Sequence, residues 1–160
     1  MKKILFVCAG NTCRSPMAEV LFNRFAAETG RGDEFSASSA GLYTYGGSAA
    51  NPNSIEVCRR HSLDLSAHRS KQFTDADAEE YDWIITMTHS QKNEVLSGYS
   101  VGSGTGVLAV YELSEQEHEH GFNVEDPFGG SIDRYEEVFN ELTACLKAAS
   151  SKIAEYGDII

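Results

Sequence analysis

The chain has 160 residues, 41% of them hydrophobic, with 13 basic residues against 24 acidic ones and a formal net charge of −11. That length suits one domain with a single sizeable core, and the acid excess argues against general binding to nucleic acid or anionic membranes. No apolar run approaches the roughly 20 residues of a membrane span, and the basic start Met1-Lys2-Lys3 precedes an apolar stretch too short for a signal-peptide core, so a cytoplasmic protein is expected.

In chain order, strand-like runs at 3–8, 34–39, 82–87 and 107–111 alternate with helical patterns. The helical patterns begin at Pro16, Pro52 and Ser90, with a short one after Thr74 and a long one from near Ser131 to Tyr156. In the long one, Tyr135, Val138, Phe139, Leu142, Leu146, Ala149 and Ile153 keep a helical period and are expected to face a sheet. The segment 97–106 carries four glycines and is expected to be a mobile loop. This order predicts an α/β domain over residues 1–160 with a parallel sheet; alternation itself leaves the strand count open. Ligands of such open sheets bind beyond the carboxyl ends of the strands, where the segment after the first strand lies.

That segment reads Val7-Cys8-Ala9-Gly10-Asn11-Thr12-Cys13-Arg14-Ser15-Pro16. It places a cysteine and an arginine at the two ends of one short loop, an arrangement that can bind a phosphate dianion and attack it. The thiolate is the nucleophilic form of cysteine and needs positive surroundings at neutral pH. A guanidinium and the free N–H groups of a helix start supply them. Gly10 is expected to allow backbone geometry closed to other residues, and Asn11 tolerates a left-handed conformation. Successive amides can then form an anion nest. Ser15 is the expected N-cap and Pro16 the first helical residue. The bland alternative is a buried Cys8 and a surface Arg14 on a strand–loop–helix.

Four cysteines (Cys8, Cys13, Cys58, Cys145) are too few and too scattered for a disulfide scaffold, and no Cys/His spacing suggests structural zinc. Cys58, Cys145 and Trp83 fall in helix or strand patterns and read as core. The run Glu115-Gln116-Glu117-His118-Glu119-His120 reads as a solvated loop, with a metal site as the sharper alternative. Asp126-Pro127 reads in isolation as a turn.

The loop from Cys8 to Arg14 with Ser15-Pro16, the strand end Ser38-Ser39-Ala40-Gly41, and Asp126-Pro127-Phe128-Gly129-Gly130 together resemble the low-molecular-weight protein tyrosine phosphatases, in the family's order over nearly the whole chain. The resemblance implies a single-domain doubly wound four-stranded parallel sheet with helices on both faces. It implies Cys8 as nucleophile and Arg14 as the bidentate phosphate ligand. The amides of Ala9, Gly10, Asn11, Thr12, Cys13 and Arg14 would hold the remaining phosphate oxygens, with Ser15 donating to the thiolate and Asp126 acting as general acid and then base. Asn11, Ser39 and His68 match a network that holds the loop. Cys13 is either the partner of Cys8 in a reversible disulfide or a small buried filler. Thiolate and guanidinium supply what a metal supplies elsewhere, so no cofactor and no metal are expected. The implied partners are phosphorylated proteins, met by a monomer.

Four positions depart from the tyrosine-specific pattern: Thr12 where a larger aliphatic is usual, Phe128-Gly129 in place of two tyrosines, Thr88-His89 after Met87, and Tyr43 or Tyr45 where an aromatic wall follows the second strand. The combination is most similar to the bacterial protein arginine phosphatase branch. Thr12 trims apolar contact for a tyrosine ring and can accept a guanidinium hydrogen bond, and Asp126 can pair with a guanidinium. Tyr43 and Phe128 complete the expected substrate site. The alternatives are a phosphotyrosine phosphatase, an arsenate reductase (which needs two further cysteines near 82–89, absent here) and a non-catalytic phosphate-binding module, which usually lacks the nucleophile or the acid.

Overall fold

The computed structural model describes residues 1–114 and 122–160. Four strands, β1 (Lys2–Cys8), β2 (Phe35–Gly41), β3 (Trp83–Thr86) and β4 (Gly106–Ala109), form one parallel sheet in the order β2-β1-β3-β4. The helices are α1 (Arg14–Glu28), α2 (Pro52–Arg60), α3 (Asp75–Glu80), α4 (His89–Gly98) and α5 (Ile132–Tyr156). Chain order reverses at β1, first outward to β2 and then back to β3, so the end of β1 is the switch point where such sheets bind ligands.

The period-two alternation of β1 divides the core. Ile4, Phe6 and Cys8 face a cluster with Met17, Leu21 and Phe22 of α1, Val57 and Cys58 of α2 and the apolar stripe of α5. Leu5 and Val7 face the opposite cluster with Ala78 of α3 and Val95 of α4. Helices therefore cover both faces, as the doubly wound reading expects. All seven periodic positions of α5 are buried, and the helix packs along α1 and α2. Both Cys58 and Cys145 are core residues. Trp83 is only half-buried; its indole lies so close over β4 that a Cβ at Gly106 would stand 2.1 Å from the ring.

Several boundaries differ from expectation. Helix α1 starts at Arg14, so Cys13, not Ser15, is its cap residue, and no side chain caps it. Pro16 still falls in the first turn, where an amide has no intrahelical partner to lose. The strand expected at 107–111 stops at Ala109, because Val110–Leu113 forms a 3-10 turn whose Glu112 side chain accepts from the Ala109 amide at 2.6 Å. In three of the other helices side-chain caps mark the starts: Asn51 for α2, Thr74 with Asp77 for α3, and Thr88 with Gln91 for α4. The glycine-rich 97–106 stretch begins within α4 and ends in β4; between them Gly102 N–H donates to Ala78 O (3.0 Å) and Thr105 Oγ1 to Tyr81 O (2.8 Å). Among the described residues no helix is long and apolar enough to cross a membrane. The carboxylate–histidine run at 115–120 lies outside the described residues.

Candidate active site

Cys8 ends β1 and Arg14 begins α1, so the five residues between them turn the chain through the switch point. Asn11 makes the turn in the left-handed region, with φ of 56°. Gly10, by contrast, has no positive φ, and a Cβ there would meet only Thr12 Oγ1 at 3.8 Å. The unusual backbone geometry expected at the glycine belongs instead to the asparagine, whose amide side chain makes that conformation comparatively cheap.

Three ties hold Asn11. Lys71 N–H donates to its Oδ1 at 2.9 Å, its Nδ2 donates to Ser15 Oγ at 2.8 Å, and its carbonyl meets His68 Nε2 at 2.7 Å. The Lys71 amide can only donate, which fixes which end of the Asn11 side chain carries oxygen. Ser15 Oγ accepts from Asn11, which leaves its hydrogen for Cys8 Sγ, 3.0 Å away. Asn11 N–H also points at that sulfur, at 3.3 Å. Two donors thus converge on Cys8, a surrounding that suits a thiolate.

Ser39 takes no part in this arrangement. Its hydroxyl donates to Glu19 Oε2 at 2.5 Å on the neighbouring helix, so the expected Asn11–Ser39 contact is corrected to Asn11–Lys71. The Ser-Ser-Ala-Gly strand end matters at Gly41 instead. A Cβ there would lie 2.8 Å from Ala9 O and 3.0 Å from Asn11 N, so only glycine lets β2 pass this close beneath the loop. Neither Lys71 nor Gly41 was among the expected site residues.

Arg14 is 4% exposed. Its Nη1 donates to Val124 O (2.9 Å) and its Nη2 lies 3.7 Å from Asp126 Oδ2, while Nε is buried with no acceptor among the described residues. Val124 N–H in turn donates to Met87 O beyond β3, at 3.0 Å. The guanidinium thereby anchors the 124–130 segment over the loop. Asp126 Oδ1 accepts from Phe128 N–H at 3.1 Å and Gly130 N–H donates to Pro127 O at 2.9 Å, so the segment is a turn and also presents a half-exposed carboxylate.

A cavity of about 190 Å³ is lined by Cys8, Gly10, Thr12, Cys13, Arg14, Asp126 and Phe128. Among the described residues, the amides of Gly10, Thr12, Cys13 and Arg14 meet no acceptor within the protein. The cavity combines a thiol at its floor, a guanidinium and free amides on its wall, and a carboxylate at its mouth. Such a set can hold a tetrahedral dianion against the sulfur and pass a proton to a leaving group. Tyr43 lies outside this lining, in a neighbouring groove of about 350 Å³ with Leu42, Thr44, Tyr45 and Gln72. Cys13 is a buried free thiol, its sulfur 3.5 Å from the Tyr135 hydroxyl, and burial raises its pKa above the ordinary value.

The sequence model of the low molecular weight phosphotyrosine protein phosphatase family matches residues 3–156. The chain is 37% identical over 140 residues to the low molecular weight protein-tyrosine-phosphatase PtpB of Staphylococcus haemolyticus, covering 88% of this chain and 91% of that one. It is 35% identical over 150 residues to a protein-arginine-phosphatase of Bacillus subtilis, covering 94% and 95%. Among solved structures, a YwlE arginine phosphatase mutant with a phosphorylated active-site serine aligns with a TM-score of 0.86 at 32% identity, over 96% of this chain and 97% of that one. The low molecular weight protein tyrosine phosphatase of T. tengcongensis aligns with a TM-score of 0.84 at 31% identity, over 95% and 99%. With its fold, its loop and nearly its whole length matched, the chain belongs to the low-molecular-weight phosphotyrosine protein phosphatase family of cysteine-based phosphatases.

Proposed function

We propose that the protein hydrolyses phosphoarginine on proteins through a cysteinyl-phosphate. In the first step the Cys8 sulfur attacks phosphorus in line. The phosphorus–nitrogen bond breaks, its electron pair goes to the guanidine nitrogen, and that nitrogen takes a proton from Asp126. Arg14 binds two equatorial oxygens and the loop amides hold the others as charge develops. In the second step water attacks phosphorus and gives its proton to Asp126. The sulfur–phosphorus bond breaks, inorganic phosphate leaves, and the Ser15 hydroxyl supports the returning thiolate.

The observation that carries the arginine reading is the cavity lining: Thr12 and Asp126 bring oxygen to the wall and mouth, and among the described residues Phe128 is the one ring beside them. A guanidinium needs acceptors around its remaining N–H groups, and a carboxyl group beside it, protonated in the first step, can both accept from it and protonate the leaving nitrogen. The similarity to a protein-arginine-phosphatase of Bacillus subtilis supports the same reading. The exposed ring of Phe128 favours the second reading, phosphotyrosine, because it can cover an aromatic leaving group. Matched phosphoarginine and phosphotyrosine peptides, with Cys8→Ser as the blank, separate the two. A kcat/KM at least ~10-fold higher for phosphoarginine, about 1.4 kcal/mol of transition-state preference, is expected; the reverse ratio makes it a tyrosine phosphatase.

A further inference from the structure

Beside the catalytic cavity the chain leaving β2 forms a ledge. Leu42 N–H donates to Cys8 O at 2.9 Å and Tyr43 N–H to Ala9 O at 2.8 Å, so the ledge is tied directly to the phosphate loop. Gln72 fixes its shape, donating to Leu42 O at 2.8 Å and accepting from Thr44 N–H at 2.9 Å. On this rigid base stand two exposed tyrosines, Tyr43 at 69% and Tyr45 fully exposed. The Tyr43 hydroxyl donates to Glu94 of α4, and this carboxylate raises the phenol's pKa. Among the described residues no cation pairs with Glu94. The nearby cations are already engaged: the Lys71 ammonium with buried Asp77, and the Arg69 guanidinium with its own neighbour's carbonyl, His68 O.

We infer that this ledge is a second recognition site, in which Tyr43, Tyr45 and Glu94 take a lysine or arginine side chain one or two positions from the phosphorylated residue of a protein substrate. Two aromatic faces, and a carboxylate that accepts from Tyr43 but meets no cation among the described residues, suit a cation with an apolar stem, and the chain's net charge of −11 favours such partners. An extended peptide advances ~3.3–3.6 Å per residue, so neighbours of a residue seated over Cys8 fall above a ledge bonded to Cys8 and Ala9. The inference rests on the phosphoprotein reading but not on which residue carries the phosphoryl group.

The test compares two phosphopeptides that differ only in having lysine or norleucine next to the phosphorylated residue, alongside a small aryl phosphate. The wild type is expected to prefer the lysine peptide by about fivefold in kcat/KM, the scale of one exposed cation–π contact with a carboxylate. Glu94→Gln and Tyr45→Ala bring the ratio towards one and Tyr45→Phe keeps it, while Glu94→Gln turns over the aryl phosphate as the wild type does. Equal wild-type rates on the two peptides overturn the ledge as a cation site. Turnover of the aryl phosphate with neither phosphopeptide cleaved, on phosphoarginine and phosphotyrosine versions alike, overturns the phosphoprotein reading and the ledge with it.

Discussion

Ser15 Oγ stands 3.0 Å from the sulfur of Cys8, and its hydrogen is directed there because Asn11 Nδ2 already occupies its acceptor side. A hydrogen bond to a charged group is worth about 1.5–3 kcal/mol, so Ser15→Ala is expected to lower kcat by roughly 10- to 100-fold at neutral pH. Loss of fold is not the cause if the melting temperature moves by only a few degrees. Activity within a factor of two of the wild type would mean that the hydroxyl does not support the thiolate.

The two glycines at the loop should behave in opposite ways. In Gly41→Ala the new Cβ meets backbone atoms, Ala9 O at 2.8 Å and Asn11 N at 3.0 Å, which cannot swing aside. Overpacking of this kind costs about 1–3 kcal/mol, and here the displaced atoms belong to the loop that lines the cavity. Gly10→Ala meets only Thr12 Oγ1 at 3.8 Å and needs no left-handed backbone, so its stability stays within ~0.5 kcal/mol. Urea denaturation of the two variants checks the contrast, and equal losses would contradict it.

That contrast also marks what the sequence can and cannot convey. Cys8, Arg14 and Asp126, which line one cavity, are legible because their side chains suit phosphate chemistry and two of them sit on one contiguous loop. The starts of α2, α3 and α4, expected at Pro52, after Thr74 and at Ser90, are legible to within a residue because a cap is a local side-chain event. The tie that positions Asn11 comes from the backbone amide of Lys71, 60 residues away, and an amide leaves no mark in residue identity. Ser39 illustrates the converse. Its hydroxyl suits the network chemically, yet Glu19 on the facing helix captures it. The limits of α1 and β4 differ from the sequence expectation because loop and turn geometry, rather than propensity, sets them.

Asp126 carries the prediction on proton transfer. Its carboxylate faces Arg14 at 3.7 Å and is half-exposed at the cavity mouth. A positioned general acid contributes about 10²–10⁴-fold, so Asp126→Asn is expected to reduce kcat by that order on phosphopeptides. The deficit should shrink on an aryl phosphate whose leaving group is acidic enough to depart unprotonated. A deficit independent of the leaving group would assign Asp126 to phosphate loop architecture instead.

Alkaline pH should unfold the protein earlier than its acidic composition alone suggests. Burial pushes the Cys58 thiol up to about 12 from 9.0, and burial, with Glu141 nearby, pushes the Tyr111 phenol up to about 12 from 10.0. Cys13 and Tyr135 move in the same direction, chiefly through burial. Each group is an acid that the fold keeps neutral. Its contribution is complete below the ordinary value and is lost as pH climbs to the folded-state value, here from about pH 9 to 12. The urea midpoint is expected to fall steadily across that window, and Cys58→Ala to flatten the fall while lowering stability uniformly at neutral pH. Parallel pH profiles for wild type and variant would remove Cys58 from the account.

Thr12 is where size and polarity can be separated. It lines the cavity, and its carbonyl accepts from Asn51 N–H at 2.8 Å, so substitution of the side chain leaves that backbone tie in place. Thr12→Val keeps the shape and removes the hydroxyl; Thr12→Ile also adds apolar bulk. If the hydroxyl accepts from the substrate guanidinium, Thr12→Val alone lowers the phosphoarginine-to-phosphotyrosine ratio of kcat/KM by about tenfold, the scale of one hydrogen bond to a charged group. Thr12→Ile then lowers it further by favouring a ring. If only bulk matters, Thr12→Val leaves the ratio unchanged and the shift waits for isoleucine. A ratio unmoved by either variant would take Thr12 out of substrate selection and leave Asp126 as the group that distinguishes nitrogen from oxygen.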